Sequence, residues 1–279
     1  MSSLIVQKNL NAATSMLNKS IERMTTGYKI NHAADNAAGY SIATTWKTQL
    51  GSLDVASDNA STGADMLTTL EDTYSLITSH LQRVRDLTEQ AANGTYGSDS
   101  LKAIASEITA RLEEIDRISA NCEFNGLKMM DGSLTDDINL QVGLYSDAAS
   151  RIALDASLFQ NGHVSALFKT FGGVGGATVA EVAKLCSGYD GKQITGGQNE
   201  MLNKIDAVIS EISARTTTLG AAQNRIESAV ESINVQSENI TSSLSTLRDA
   251  DVAEESSNYI KAQILQQASA TLLATANQT

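Results

Sequence analysis

The sequence predicts a mainly α protein: an elongated multi-helix rod, a coiled-coil-like bundle drawn from the N- and C-terminal regions, with a small β-hairpin region. Three observations carry this. The 279 residues contain no proline, where average usage near ~5% would place about fourteen, and proline breaks helix interiors. A nearly unbroken heptad runs from Leu202 to Leu247. Aromatic residues are only 4% of the chain, which suits thin layers of Leu, Ile, Val and Ala rather than a thick globular core.

The elements follow in chain order. Leu10, Ala13, Leu17, Ile21 and Met24 form a helical stripe flanked by Ser, Thr, Asn and Gln. Ile260, Ile264, Ala268 and Leu272 form another at the far end. Each stripe is too weak to hold an isolated helix, so both are expected to order only when something packs on them. A longer stripe starts at Trp46, Leu50 and Leu53 and continues through Leu67, Leu70, Tyr74, Ile77, Leu81 and Val84, stopping at Asn93-Gly94. A third helix is expected from about Asp99 to Ala120, with Leu101, Ile104, Ile108, Ile115 and Ile118 on one face.

Between Asn121 and Gln160 the pattern changes. Asn125-Gly126 and Asp131-Gly132 are turn dipeptides, and Ile138-Leu140-Val142-Leu144 and Ile152-Leu154 alternate with period two. These read as small hairpins. Residues 161–198 are glycine-dense, including Gly172–Gly176, and read as a loop-rich excursion with one short helix at Thr178–Leu185. The heptad that follows is read as Leu202, Ile205, Ile209, Ile212, Thr216, Leu219, Gln223, Ile226, Val230, Ile233, Ser237, Ile240, Leu244 and Leu247. As one helix it would be roughly 69 Å long, so it must lie along other long helices.

Composition excludes several function classes. The net charge of −12 disfavours phosphate-backbone binding and anionic membrane surfaces. Cys122 and Cys186 make neither a ligand spacing nor a disulfide framework; the alternatives are one bridge or two free thiols, and free thiols are expected. No apolar run reaches membrane-span length, and Met1 to Asn9 lacks the features of a cleaved signal. His32, His80 and His163 stand apart, with no HExxH and no Cys/His cluster. There is no GxSxG elbow, and the Gly172–Gly176 run lacks the GK[ST] ending of a phosphate loop. The reading is a non-enzyme with no cofactor and no metal.

Several segments carry a family resemblance. Ser20 to Asn31 (SIERMTTGYKIN) resembles the IERLSSGLRIN signature of bacterial flagellins, and Ala33 to Gly39 (AADNAAG) is similar to the family's AxDDAAG. Leu81 to Leu87 (LQRVRDL) resembles LQRVREL, and Phe124-Asn125-Gly126 matches FNG. Lys261 to Ala268 (KAQILQQA) and Ala274 to Gln278 (ATANQ) resemble RAQILQQA and AQANQ. The resemblance covers about residues 1–160 and 197–279.

It implies a filament-core domain from residues 1–32 and 251–279, a helical rod domain from 33–160 and 197–250, and a short variable insertion at 161–196. Filament-core packing falls to Leu10, Leu17, Ile21, Ile264, Leu265 and Leu272, and the rod seam to Leu67, Leu81, Ile209, Ile226 and Ile240. The implied function is a self-assembling structural subunit of the flagellar filament, extracellular, exported through the flagellar channel without signal cleavage. Implied partners are other flagellin subunits, hook-junction and cap proteins, an export chaperone and Toll-like receptor 5, with no nucleic acid and no membrane. For that receptor, Arg83, Leu87 and Glu107 match the family's contact positions. Arg83 and Leu87 are one turn apart and are expected to lie off the Leu81/Val84 seam.

Family members usually begin several residues earlier and extend about a dozen beyond ANQ. Trimmed ends would weaken the filament core and remove the tail read by cytosolic sensors. The alternatives are a hook–filament junction protein, a flagellin with an enzymatic insertion, and a secreted monomeric adhesin.

Overall fold

The computed structural model describes residues 2–169, 178–189 and 198–276. These form seven α-helices and two antiparallel strand pairs, in two compact units. Unit 1 comprises Met1–Asp54 and Asn234–Thr279, and unit 2 comprises Val55–Ile233. The mainly α class with small hairpins is what the absence of proline and the heptad patterning predict.

In unit 1, helix α1 (Ser2–Thr26) ends where Gly27 takes φ +74°, its N–H donating to the Arg23 carbonyl at 2.8 Å. Only glycine adopts that conformation without a Cβ penalty. Between α1 and the next helix, the Asp35 carboxylate accepts from the N–H groups of Asn31 and His32 at 3.2 Å each. Lys19 Nζ lies 2.8 Å from it. Helix α2 (Ala37–Ala92) then starts with Asn36 Oδ1 accepting from Gly39 N at 3.0 Å, a side-chain N-cap. At the other end of the chain Asp251 caps helix α7 (Val252–Ala276) by accepting from Ala253 N at 2.8 Å. Helices α1 and α7 lie along each other, so each terminal stripe obtains the partner it needs to order.

Unit 2 holds nearly all the core. Leu67, Leu70, Tyr74, Ile77, Leu81 and Val84 of α2 are buried, as are Leu101, Ile104, Ile108, Leu112 and Ile115 of α3 (Ser98–Asn121). Ile118 is half-buried; the interior position goes to Ser119, whose Oγ donates to the Met130 carbonyl at 2.8 Å. Strands β1 (Glu123–Phe124) and β2 (Leu127–Lys128) pair across Asn125 (φ +49°) and Gly126 (φ +82°). Two successive positive φ values are the signature of the turn that matches strand twist, which explains Asn-Gly there. Strands β3 (Ile138–Gln141) and β4 (Arg151–Leu154) pair with Ile138 opposite Leu154. Their hairpin rests on α2 where Asn59 Nδ2 donates to the Gln141 carbonyl at 3.2 Å. Gly63 permits this approach, since a Cβ there would overlap a methyl of Leu140.

Of the stretch expected to be a loop-rich excursion with one short helix, residues 161–169 and 178–189 are described, and both segments contribute to the core. Helix α4 (Val164–Leu167) buries Val164 and Leu167, and helix α5 (Val179–Ser187) buries Val182, Ala183 and Cys186. Helix α5 packs on α3. Its start is a capping box, Thr178 and Glu181 bonding reciprocally, and its end is Gly188 at φ +63°. The expected helix at Thr178–Leu185 is therefore present and belongs to the core. The glycine run at 172–176 lies outside the described residues.

Helix α6 (Gln198–Arg248) corrects the heptad phase. Ile205, Ile212, Leu219, Ile226 and Ile233 are buried as expected. The alternate position falls one residue earlier: Met201, Val208 and Ala222 are buried, whereas Leu202, Ile209 and Gln223 are half-buried. Steps of three and four residues fit either phase, and the packing partners decide between them. Arg215 occupies that alternate position too, its guanidinium paired with Glu211.

Candidate functional site

The residues expected to assemble the filament core sit on the α1–α7 pair. Its buried seam is built from small and polar side chains: Ala13 and Ser20 on α1, Glu255 and Ala262 on α7. Each pair is seven residues apart, two turns along one helix face. Small side chains let two backbones approach closely. Glu255 is 6% exposed and accepts from Arg23 Nη1 at 2.8 Å, an ion pair inside the seam. Farther along, Gln266 Nε2 donates to Thr14 Oγ1 at 3.2 Å.

This seam displaces the large apolar residues from the interface. Leu10 and Leu17 are half-buried beside it. Ile21, Ile264, Leu265 and Leu272 point outward, 44, 60, 42 and 58% exposed. Leu4, Ile5, Met16, Val252 and Ile260 are exposed as well. Of the eighteen exposed large apolar side chains among the described residues, fourteen are in unit 1. Of the 43 buried apolar residues, unit 1 holds five, three of them alanine. Unit 1 thus presents apolar surface without a core to absorb it, the mark of an interaction face.

In the rod seam, Leu67, Leu81 and Ile226 are buried, while Ile209 and Ile240 are half-buried. For Ile209 the reason is the phase shift, with Val208 taking the inner position. Ile240 belongs to the stretch of α6 in unit 1, where Ser237, Leu244 and Leu247 are also half-buried.

The three receptor positions separate. Arg83 Nε donates to Glu107 Oε1 at 2.9 Å, bridging α2 and α3, with Arg111 Nη2 at 3.9 Å from the same oxygen. Both partners remain solvent-accessible. Leu87 does not join them on the surface: it is 2% exposed. Its neighbour Thr88 is fully buried, its Oγ1 donating to the Val84 carbonyl at 2.7 Å. The buried face of α2 is therefore wider here than the Leu81/Val84 seam, taking in Leu87, Thr88 and Ala91.

The expected free thiols are present: both cysteines are unbridged and buried. Burial pushes the Cys186 thiol up to about 12. Asp35 is held at about 2, chiefly by its hydrogen bond from Lys19. His32 contacts Glu22 at 2.9 Å and His163 contacts Asp116 at 3.4 Å. Among the described residues no three His, Cys, Asp or Glu side chains converge on a metal position, and no helix is long and apolar enough to cross a membrane.

Comparison with known proteins bears on the α1–α7 pair directly. Residues 1–135 match the model of the bacterial flagellin N-terminal helical region, and residues 202–279 match that of the C-terminal helical region. Flagellin of Bacillus subtilis is 33% identical over 287 residues, covering 96% of this chain and 92% of the relative. Flagellin FlaB1 of Treponema pallidum is 30% identical over 282 residues, covering 99% and 94%. Among solved structures, Bacillus cereus FlgL superposes with a TM-score of 0.55 at 18% identity, covering 72% of this chain and 99% of that one. At that identity the match speaks to fold alone.

Proposed function

The chain belongs to the bacterial flagellin family, and from that premise we propose that it is a filament subunit that polymerises through α1 and α7. The observation that carries this is the concentration of outward apolar side chains on a unit with almost no core of its own. Burial of such surface stabilises by about 25 cal/mol per Å² removed from water, less the ordering cost of association. The filament-core domain of this reading is residues 1–32 with 251–279; 33–160 with 197–250 form the rod. Leu10, Leu17, Ile21, Ile264, Leu265 and Leu272 make the inter-subunit contacts. The product is extracellular, exported through the flagellar channel, with an export chaperone, cap and hook-junction proteins as transient partners. It is a structural protein, not an enzyme.

Seeding purified chain with filament fragments and viewing it by electron microscopy tests the proposal. Filaments from the wild type, and none from an Ile260→Glu/Ile264→Glu variant that keeps its helical spectrum, are expected. Wild-type chain that stays monomeric beside active seeds contradicts the reading. A hook–filament junction role is the alternative, and copy number per flagellum separates one from the other.

We further propose recognition by Toll-like receptor 5 through the exposed Arg83–Glu107 pair, with Leu87 supporting the helix from inside. Arg83→Ala should weaken binding of the monomer with no loss of fold. Unchanged binding sinks this part.

A further inference from the structure

Unit 1 carries a second feature, away from the terminal helices. The α1–α2 connector and the α6–α7 connector are laced into a strand-like ladder. Lys29 N donates to the Arg248 carbonyl at 2.7 Å, and Ala250 N donates to the Gly27 carbonyl at 2.8 Å. Arg248 Nε donates to the Ile30 carbonyl at 3.2 Å, and its guanidinium stacks 4.2 Å from the Tyr28 ring. Lys29 Nζ donates to the Thr246 carbonyl at 2.9 Å. Beside this ladder is an open depression of about 580 Å³, its apolar walls formed by Ile30, Trp46 and Leu247 and its rim including Ser243.

We propose that this depression is a socket that receives an apolar side chain from a second copy of the chain, a subunit contact separate from α1 and α7. The inference rests on the filament reading, and four observations support it. The ladder ties the Ile30 side of the depression to the Leu247 side before any partner arrives, so less ordering cost remains for the contact. Ile42, one turn before Trp46 on the same helix face, is 44% exposed and extends the apolar rim. The socket is continuous with the unit that holds most of the chain's exposed apolar side chains. Finally, the chain carries a net charge of −12, yet the lining contains no carboxylate and one cation, Lys29. Copies of an acidic protein repel one another, and a contact region of this composition escapes that repulsion.

Trp46 is the chain's single tryptophan, so its fluorescence reads the socket alone. In seeded assembly of the full chain, Trp46 emission should shift to shorter wavelength and acrylamide quenching should fall about threefold or more as the side chain leaves water. A Ser243→Phe variant, which fills the socket from an exposed helix position, should fold normally and elongate about tenfold more slowly. Filaments that form with Trp46 quenching unchanged, or a Ser243→Phe variant that elongates at the wild-type rate, overturn the socket and leave the filament reading standing. Failure of the wild type to elongate on active seeds overturns the filament reading and the socket with it.

Discussion

Replacing Leu87 and Arg83 separately with alanine should give opposite results, although the two are one helical turn apart. Leu87 is 2% exposed in the unit 2 core. Truncating a buried leucine costs about 2–5 kcal/mol, the spread depending on how far the cavity collapses. Taking about 3 kcal/mol, and roughly 2–4 °C per kcal/mol for a domain of 150–250 residues, the melting midpoint should fall by about 6–12 °C. Arg83 and its partner Glu107 have side chains 47 and 38% exposed, and an ion pair in that setting is worth about 0–1 kcal/mol. Its loss should move the midpoint by no more than about 4 °C. Far-UV circular dichroism gives the midpoint. Labelling of Cys122 and Cys186, both buried in unit 2, gives an independent measure of opening. Leu87→Ala melting within a degree or so of wild type, with thiol labelling no faster, would refute the placement of Leu87 in the core.

Three further outcomes follow from the same geometry. Ala262→Leu forces a large side chain into the α1–α7 seam, where Ala262 is fully buried. Overpacking of about 1–3 kcal/mol should separate the terminal helices, and unchanged helicity would contradict the small-residue seam. Asp35 is held at about 2 against an ordinary 3.8. Its stabilising effect is therefore complete above the ordinary value and is lost as pH falls through about 2. An NMR titration of its carboxyl carbon should show the low midpoint, and one at or above the ordinary value would contradict the Lys19 bond. Cys186 is raised from 9.0 to about 12 by burial. Its contribution is intact below pH 9 and lost as pH rises towards 12, because the unfolded chain ionises first. Thiolate absorbance should appear only with unfolding; its appearance in the folded protein near pH 9 would show the thiol to be solvated.

Much of the fold was legible in the sequence for local reasons. Zero proline and aliphatic periodicity give α2, α3 and α6, Asn125-Gly126 gives the first hairpin, and Thr178 with Glu181 marks the start of α5. What eluded sequence reading depends on neighbours. The phase of α6 is set by what it packs against, since Val208 and Ile209 are equally apolar. The α1–α7 seam is made of Ala13, Ser20, Glu255 and Ala262, residues that a search for large aliphatic stripes passes over. Ile21, Ile264 and Leu272, from the apolar stripes of the same helices, face outward instead. Leu87 is interior although it lies off the Leu81/Val84 stripe, and a stripe traced on one helix carries no information about how many partners surround it.

The account stands most directly on where assembly buries surface. Hydrogen exchange of the monomer and of seeded filaments, compared segment by segment, measures this. Amides of α1 and α7 should exchange readily in the monomer, where little core supports them, and slow by orders of magnitude in the filament. Filaments in which α1 and α7 exchange as fast as in the monomer, with new protection confined to residues 55–233, would contradict the account.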